Sequence, residues 1–328
     1  MKFVVVGCGS IGKRHIKNLK DAGHSVAGCE KDGERRSEAA RSYDIEVFPT
    51  LDKALRKTYD AAFICTPTSL HIPMALKVAE RGIHLFIEKP LSNSLKDVEK
   101  LISLAKRKRL ITFVGCNPRF LPSLKRTKDL IDRRRIGKVL SVRASRGFYL
   151  PYWHPKEDYR KEYSARKSLG GGVIFDDIHD IDILCWIFGR VREVFCFSGK
   201  LSSLQIDTED IAEIFFKFST GTLAQLHLDY LQRTYRSSYE FIGERGIIEW
   251  DYIKHTVRLY EEKTNEWKIF QGSIGETHSE AYGEEIKHFI RCIKRGEGTI
   301  NDLAAAKRVL ETALACHESS QRRKLIKI

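Results

Sequence analysis

Apolar and polar positions in the first third of the chain form short buried-type runs separated by amphipathic stretches. The run KFVVV reads as a strand. The chain then bends through Gly7, Gly9 and Gly12 and continues as an amphipathic helix carrying Ile11, His15, Ile16 and Leu19. HSVAGCE predicts a second strand. DAAFICTPTSLHIPMALKVAERG predicts strand, turn and helix, and IHLFIEKPLSNSLKDVEKLISLAKRK repeats that pattern before a last strand, LITFVGC. Strands alternating with helices predict a parallel sheet covered by helices on both faces.

After about residue 120 the period changes to two. KVLSVRASRGFYL, VREVFCFSGKLSS, DIAEIFFKF, GTLAQLHLDYL, SSYEFIGERGIIEWDY and TVRLYEE predict strands, several joined by hairpin-like turns at residues 219–221 and 244–246. In TLAQLHLDY, Thr222, Ala224, Leu226, Leu228 and Tyr230 share one face and Gln225, His227 and Asp229 the other. One-sided alternation predicts a mainly antiparallel sheet whose second side is exposed or forms an interface.

One apolar stretch carries charge. GGGVIFDDIHDIDILCWIFG predicts three glycines that leave the backbone mobile, then a helix over residues 173–188, hydrophobic all round and therefore buried. Asp176, Asp177, Asp180 and Asp182 need a reason to be tolerated there. At about 100° per residue, Asp176, His179 and Asp182 fall within one arc of the helix, giving it an ionisable face. An internal hydrogen-bond network is the alternative to a reactive site.

Length and composition add limits. The 328 residues suit two domains, and 42% hydrophobic with 30% charged residues is an ordinary globular balance. Eight cysteines lie far apart with no CxxC pair, so reduced thiols are expected and no metal site is predicted. The apolar run before Gly7 is too short for a signal-peptide core, and no run approaches membrane-spanning length, so a soluble, cytoplasmic protein is expected. A net charge of +14 favours anionic partners. The basic clusters KRKR, RRR and QRRK fall on or beside amphipathic helices and read as solvated faces. Without a nucleic-acid-binding signature, nucleic acid is not an expected partner.

The glycine loop Gly7, Cys8, Gly9, Ser10, Ile11 and Gly12 lies between a strand and a helix. That context turns a weak GxGxxG motif into a dinucleotide-binding one, with the pyrophosphate at the helix N-terminus. Glu30 ends the second strand about 20 residues on, where such folds place an acid against the adenosine ribose. Its charge favours NAD; Lys31, Arg35 and Arg36 beside it could accommodate NADP instead. Ligands bind these sheets at the carboxyl ends of the strands, occupied here by GCGSIG, CTPTSLH, EKP and GCNPRF. Pro67 and Pro90 fix the geometry where the chain leaves its strands.

Those segments, in that order and with the GGG..D..H..D helix, resemble the Gfo/Idh/MocA oxidoreductases. The resemblance runs through essentially the whole chain, FIGERGIIEW and AYGEEIKHFIRCIKRGE included. It implies α/β architecture: an N-terminal Rossmann-type parallel-sheet domain over residues 1–120 and a C-terminal α+β domain over 121–328, whose open, mainly antiparallel sheet builds homodimers or homotetramers. It implies NAD or NADP as cofactor, held by the glycine loop, Glu30, Lys31, Arg35, Cys65, Thr66, Pro67, His71, Glu88, Lys89 and Pro90. Lys89 and His179 are implied to serve the reacting carbon, His179 as base and Lys89 as orienting group or as base itself, with Asp176 or Asp182 fixing the imidazole tautomer.

One departure is visible. Many members carry an aspartate four residues before the histidine, where this chain has Phe175; Asp176 stands three before it. That resembles a branch associated with surface-sugar biosynthesis. The preceding segment, FYLPYWHPKEDYRKEYSARK, mixes aromatic surfaces with charged donors, among them His154. Tyr152, Trp153, Arg160, Tyr163 and Arg166, with Arg119 further upstream, are its candidate substrate contacts. The expected function is hydride transfer between a nicotinamide cofactor and a secondary hydroxyl or ketone of a sugar, nucleotide-activated or otherwise anionic. The alternatives are redox-neutral elimination or epimerisation assisted by bound NAD, and a non-catalytic NAD(P)-sensing regulator.

Overall fold

The computed structural model describes residues 1–153, 155, 157–272 and 277–328; His154 lies outside the described residues. The chain forms two compact units, one from Met1–Asn117 with Tyr282–Leu310, the other from Pro118–Ala281 with Glu311–Ile328. The contiguous division expected at residue 120 differs from this in its boundary, which falls after Asn117, and in the return of residues 282–310 to the first unit.

In the first unit, β1 (Lys2–Val6), β2 (Ser25–Cys29), β3 (Val47–Phe48), β4 (Ala61–Ile64), β5 (His84–Ile87) and β6 (Thr112–Val114) form one sheet in the order β3-β2-β1-β4-β5-β6. Every pair is parallel. Central strands buried on both faces must be continuously apolar, which is why FVVV, AAFI and LFI stand out as runs. Strand order reverses between β1 and β4, and the crevice at such a switch point is where ligands bind.

Aromatic packing secures the sheet. Phe63 stacks on Phe86 at 4.4 Å, and Phe289, from the helix His278–Arg295, meets both rings edge-on. Asn301 closes the β6 edge: its carbonyl accepts the Val114 N–H and its side-chain amide donates to the Val114 carbonyl, each at 2.8 Å.

The second unit is built on nine strands: β7 (Val139–Tyr149), β8 (Val191–Gly199), β9 (Ile211–Phe218), β10 (Leu223–Asp229), β11 (Leu231–Gly243), β12 (Gly246–Asp251), β13 (Thr256–Glu261), β14 (Glu266–Gln271) and β15 (Ile326–Lys327). Their order is β14-β13-β12-β11-β7-β10-β9-β8-β15, and only β7 with β10 is parallel. One face is covered: Tyr239, Phe241 and Trp250 are buried, Phe188 packs on Phe218 and Phe241, and Trp250 donates to the Ser123 hydroxyl at 2.8 Å. Leu140, Phe197, Phe215, Leu223 and Ile269 are exposed.

The buried acidic helix is broken. It forms as Val173–Asp176 and Ile178–Phe188, with Asp177 between them and the Asp180 N–H bonding back to the Asp177 carbonyl at 3.1 Å. The expectation of mobile glycines before it is corrected. A Cβ on Gly171 would lie 2.0 Å from the Tyr163 carbonyl oxygen, and one on Gly172, whose φ is +106°, would lie 2.3 Å from the Glu209 carboxylate. These glycines are packed positions that admit no side chain. Among the described residues no helix is long and apolar enough to cross a membrane.

Candidate active site

The glycine loop has the shape of a dinucleotide cradle. Gly7 adopts φ +94°, and a Cβ there would lie 2.6 Å from the Cys65 carbonyl oxygen; a Cβ on Gly12 would lie 1.9 Å from the Gly7 carbonyl oxygen. Both glycines are required by the fold. Gly9 differs: no atom lies within 4 Å of where its Cβ would stand. It also caps the helix Ser10–Asp21, which has no side-chain cap and no acid in its first turn. An uncapped helix N-terminus beside open space suits an anion.

Glu30 is buried and fixed from two sides, its Oε2 accepting the Cys8 N–H at 2.8 Å and its Oε1 the Asp32 N–H at 3.0 Å. The Cys8 side chain points inward, where burial, then Glu30 and Cys29, push its thiol up to about 12. Of the neighbouring cations, Arg36 donates to the Glu30 and Lys31 carbonyls, while Lys31 and Arg35 are exposed. Along the sheet, the buried Thr66 hydroxyl has no hydrogen-bond partner among the described residues. The open Gly9, the fixed Glu30 and this hydroxyl fit the phosphate and ribose groups of a dinucleotide.

Two expected cofactor contacts turn inward instead. His71 is buried between the carbonyls of Thr66 and Pro90, each 2.8 Å from a ring nitrogen, and ties two loops together. Glu88 is buried against His15, Oε1 to Nε2 being 2.6 Å. Burial alone would raise the Glu88 carboxyl, but the His15 hydrogen bond and the charges of His15 and Lys89 bring it below its ordinary value. Lys89 is half-buried at the end of β5, and the Lys89–Pro90 peptide is cis.

In the second unit the four aspartates are all engaged. Asp176 accepts from the Ser164 hydroxyl at 2.6 Å, from Tyr230 at 3.1 Å, and from Tyr163. Arg146 from β7 lies between Asp177, at 2.9 Å, and Asp180, at 3.5 Å, and Tyr239 donates to Asp180. Burial raises the Asp180 carboxyl despite Arg146 and Tyr239. Arg119 pairs with Asp182 through two contacts, both side chains being buried. Each carboxylate faces a hydroxyl or a guanidinium, Asp177 through its ion pair with Arg146, which is why four are tolerated inside. His179 is buried in the first turn of the helix Ile178–Phe188.

Several candidates are held by partners within their own unit. Asp182 and Arg119 serve each other; Tyr163 holds Asp176. Arg160 grips Asp158 with two nitrogens, at 2.7 and 2.9 Å, and reaches Gln205 at 3.2 Å. Arg166 is exposed, 3.9 Å from Asp207. Tyr152 and Trp153 expose 64% and 44% of their surface, with Trp153 backed by Phe148 at 4.5 Å and by Tyr235. The aromatic candidates are open to solvent while two of the three arginines are tied to aspartates.

Sequence reasoning missed Arg146, Tyr230, Tyr239 and Glu285. Glu285 left one signal: it interrupts the apolar stripe of its helix, four residues after Ala281 and four before Phe289.

Two family profiles match the chain. The NAD-binding Rossmann fold of the Gfo/Idh/MocA oxidoreductase family covers residues 1–116, and the Gfo/Idh/MocA C-terminal domain covers residues 124–249. The myo-inositol 2-dehydrogenase of Thermotoga maritima is 28% identical over 100% of this chain and 98% of its own length. The UDP-N-acetylglucosamine 3-dehydrogenase of Acidithiobacillus ferrooxidans is 24% identical over 96% of this chain and 95% of its own. Levoglucosan dehydrogenase solved with NADH shares the fold, with a TM-score of 0.90 at 20% identity, over 100% of this chain and 99% of that one. The cradle, the parallel sheet and both matched domains agree: the chain belongs to the Gfo/Idh/MocA family and is an NAD-dependent oxidoreductase acting on CH–OH groups.

Proposed function

We propose that the enzyme transfers hydride between NAD and a secondary ring hydroxyl or ketone of a sugar or cyclitol, with Lys89 and His179 serving the reacting carbon. Bound NAD supplies the hydride acceptor. Removing hydride from a carbinol carbon requires loss of its hydroxyl proton, so a base within hydrogen-bond reach is needed. The observation that supports the reading is that all four aspartates of the histidine helix face hydroxyls or guanidinium groups, which favours the imidazole as the group that takes the proton. Lys89 orients the hydroxyl and stabilises its developing negative charge.

The engagement of Arg119 and Arg160 with aspartates favours an uncharged ring over an anionic one. A nucleotide-activated sugar is the second reading, favoured by the UDP-N-acetylglucosamine relative and by the exposed Tyr152 and Trp153, whose faces suit a nucleobase. The fixed Glu30 carboxylate favours NAD over NADP, since it would repel a 2′-phosphate. The exposed side of the nine-stranded sheet, with Phe197, Phe215, Leu223 and Ile269 on it, favours a homodimer or homotetramer, and eight free cysteines favour a reducing compartment such as the cytoplasm.

The test is NAD reduction, followed by absorbance, against inositols, free sugars and UDP-sugars, with K89A and H179A as controls. Turnover with one substrate class, reduced about 10²-fold or more in each folded variant, is expected. Near-wild-type turnover in either variant would remove that residue from the mechanism.

A further inference from the structure

Beneath the strand end that carries Lys89, side chains from three distant parts of the first unit meet: His15 from the first helix, Glu88 from the end of β5, and Tyr282 with Glu285 from the helix His278–Arg295. His15 and Glu285 are fully buried and Glu88 nearly so. One ligand-type atom from each of His15, Glu88 and Glu285 lies within 4.8 Å of the others. His15 bonds Glu88 at 2.6 Å, and the His15 and Tyr282 rings meet edge-on at 5.9 Å.

Among the described residues, neither Glu285 oxygen has a hydrogen-bond partner of good geometry. Two carboxylates this close in a dry interior cannot both be ionised. His15 and Lys89 favour the charge on Glu88. Burial, then the Glu88 charge, hold Glu285 well above the ordinary carboxyl range, offset only in part by the backbone at Cys116.

We propose that Glu285 is a positioning residue that, with His15, fixes the single negative charge of the cluster on Glu88, whose Oε2 accepts the Lys89 backbone N–H at 3.2 Å, and so sets the charge beside the Lys89 side chain. The inference rests on the role of Lys89 proposed above. The other groups around this charge do not replace it. Burial, then the Glu88 charge, push the Cys65 thiol far up, and burial keeps His71 below its ordinary value despite Glu88. Tyr282 is raised by burial, and Arg14 lies over its ring at 4.7 Å.

Two measurements on the full-length protein test this. The infrared difference between wild type and E285Q at pH 7 is expected to show loss of one carboxylic-acid C=O band; loss of a carboxylate band instead would overturn the proposal. If E285Q does not fold, the carboxylic-acid band expected to persist to about pH 8 in the unmodified protein must also persist in D180N and E209Q, whose own acids are raised by burial; its loss there would overturn the proposal. The pH midpoint for acetylation of Lys89, read by mass spectrometry, is expected to fall by about one unit or more in E88Q and to stay unchanged in E285Q. An unmoved midpoint in E88Q would overturn the positioning role. Stoichiometric Zn²⁺ binding dependent on His15 and Glu285 would also do so, making the cluster a metal site. Because neither readout uses turnover, loss of the catalytic role of Lys89 through an active K89A would be seen separately.

Discussion

Arg119 lays both arms of its guanidinium on Asp182, Nε 2.6 Å from Oδ2 and Nη2 2.8 Å from Oδ1, with both side chains buried. Removing one partner strands the other as an unpaired buried charge. Asp182→Asn is expected to destabilise the protein by about 3–5 kcal/mol, whereas the double variant R119M/D182L should recover most of that loss. Urea unfolding of the two variants beside the wild type checks it. Equal losses in the single and double variants would show that the pair is not the source.

Gly9 and Gly12 separate cofactor binding from folding. Gly9→Ala places its methyl group in open space on an extended backbone and should leave the melting temperature unchanged, while NAD affinity falls about 10-fold or more as the methyl meets the pyrophosphate. Gly12→Ala drives a methyl into the Gly7 carbonyl and should lower stability itself. Thermal melts with and without NAD distinguish the two.

His227 places Nδ1 2.6 Å from Glu213 and Nε2 2.7 Å from Asp229, so both ring nitrogens face carboxylate oxygens. The Asp229 bond, followed by that to Glu213, outweighs burial and raises the imidazole to about 9. The folded state therefore binds a proton that the unfolded chain releases near its ordinary value of about 6.5. This stabilisation is complete below that value and is lost as pH rises towards 9. Unfolding free energy measured across pH 6 to 9 should fall more steeply in wild type than in His227→Gln; parallel slopes would contradict the assignment.

Phe175 occupies the position where many members of the family carry an aspartate, and its ring packs 4.8 Å from that of His317. Beside them Glu209 is pushed up to about 7, chiefly by burial, and His317 is lowered to about 4 for the same reason. Phe175→Asp would remove an aromatic ring from a buried site and add a carboxylate there. A loss of at least about 3 kcal/mol is expected, with no gain of inositol oxidation. Calorimetry and the NAD reduction assay check both parts.

The strands of the first unit were legible because parallel strands covered on both faces must be apolar throughout, as FVVV and AAFI are. β14 was missed because EWKIFQ lies at a sheet edge, mostly exposed, and so shows no buried alternation. The acidic helix was recognised as buried, but its aspartates suggested a reactive face. Their donors, Tyr230, Tyr239, Arg146 and Arg119, stand far away in the chain, and spacing within a helix carries no trace of them. The amphipathic helix containing Glu285 could be read as a helix; nothing in its periodicity says which sheet it covers.

That return of residues 282–310 bears on how the protein is made. When the first 117 residues have left the ribosome, β6 still has an open edge awaiting Asn301, and Phe63 and Phe86 still lack Phe289. An open strand edge beside uncovered aromatic rings is a template for aggregation. The nucleotide-binding half can be completed only after residues 282–310 have been made, so a message cut after residue 120 would yield an adhesive fragment and not a small NAD-binding protein.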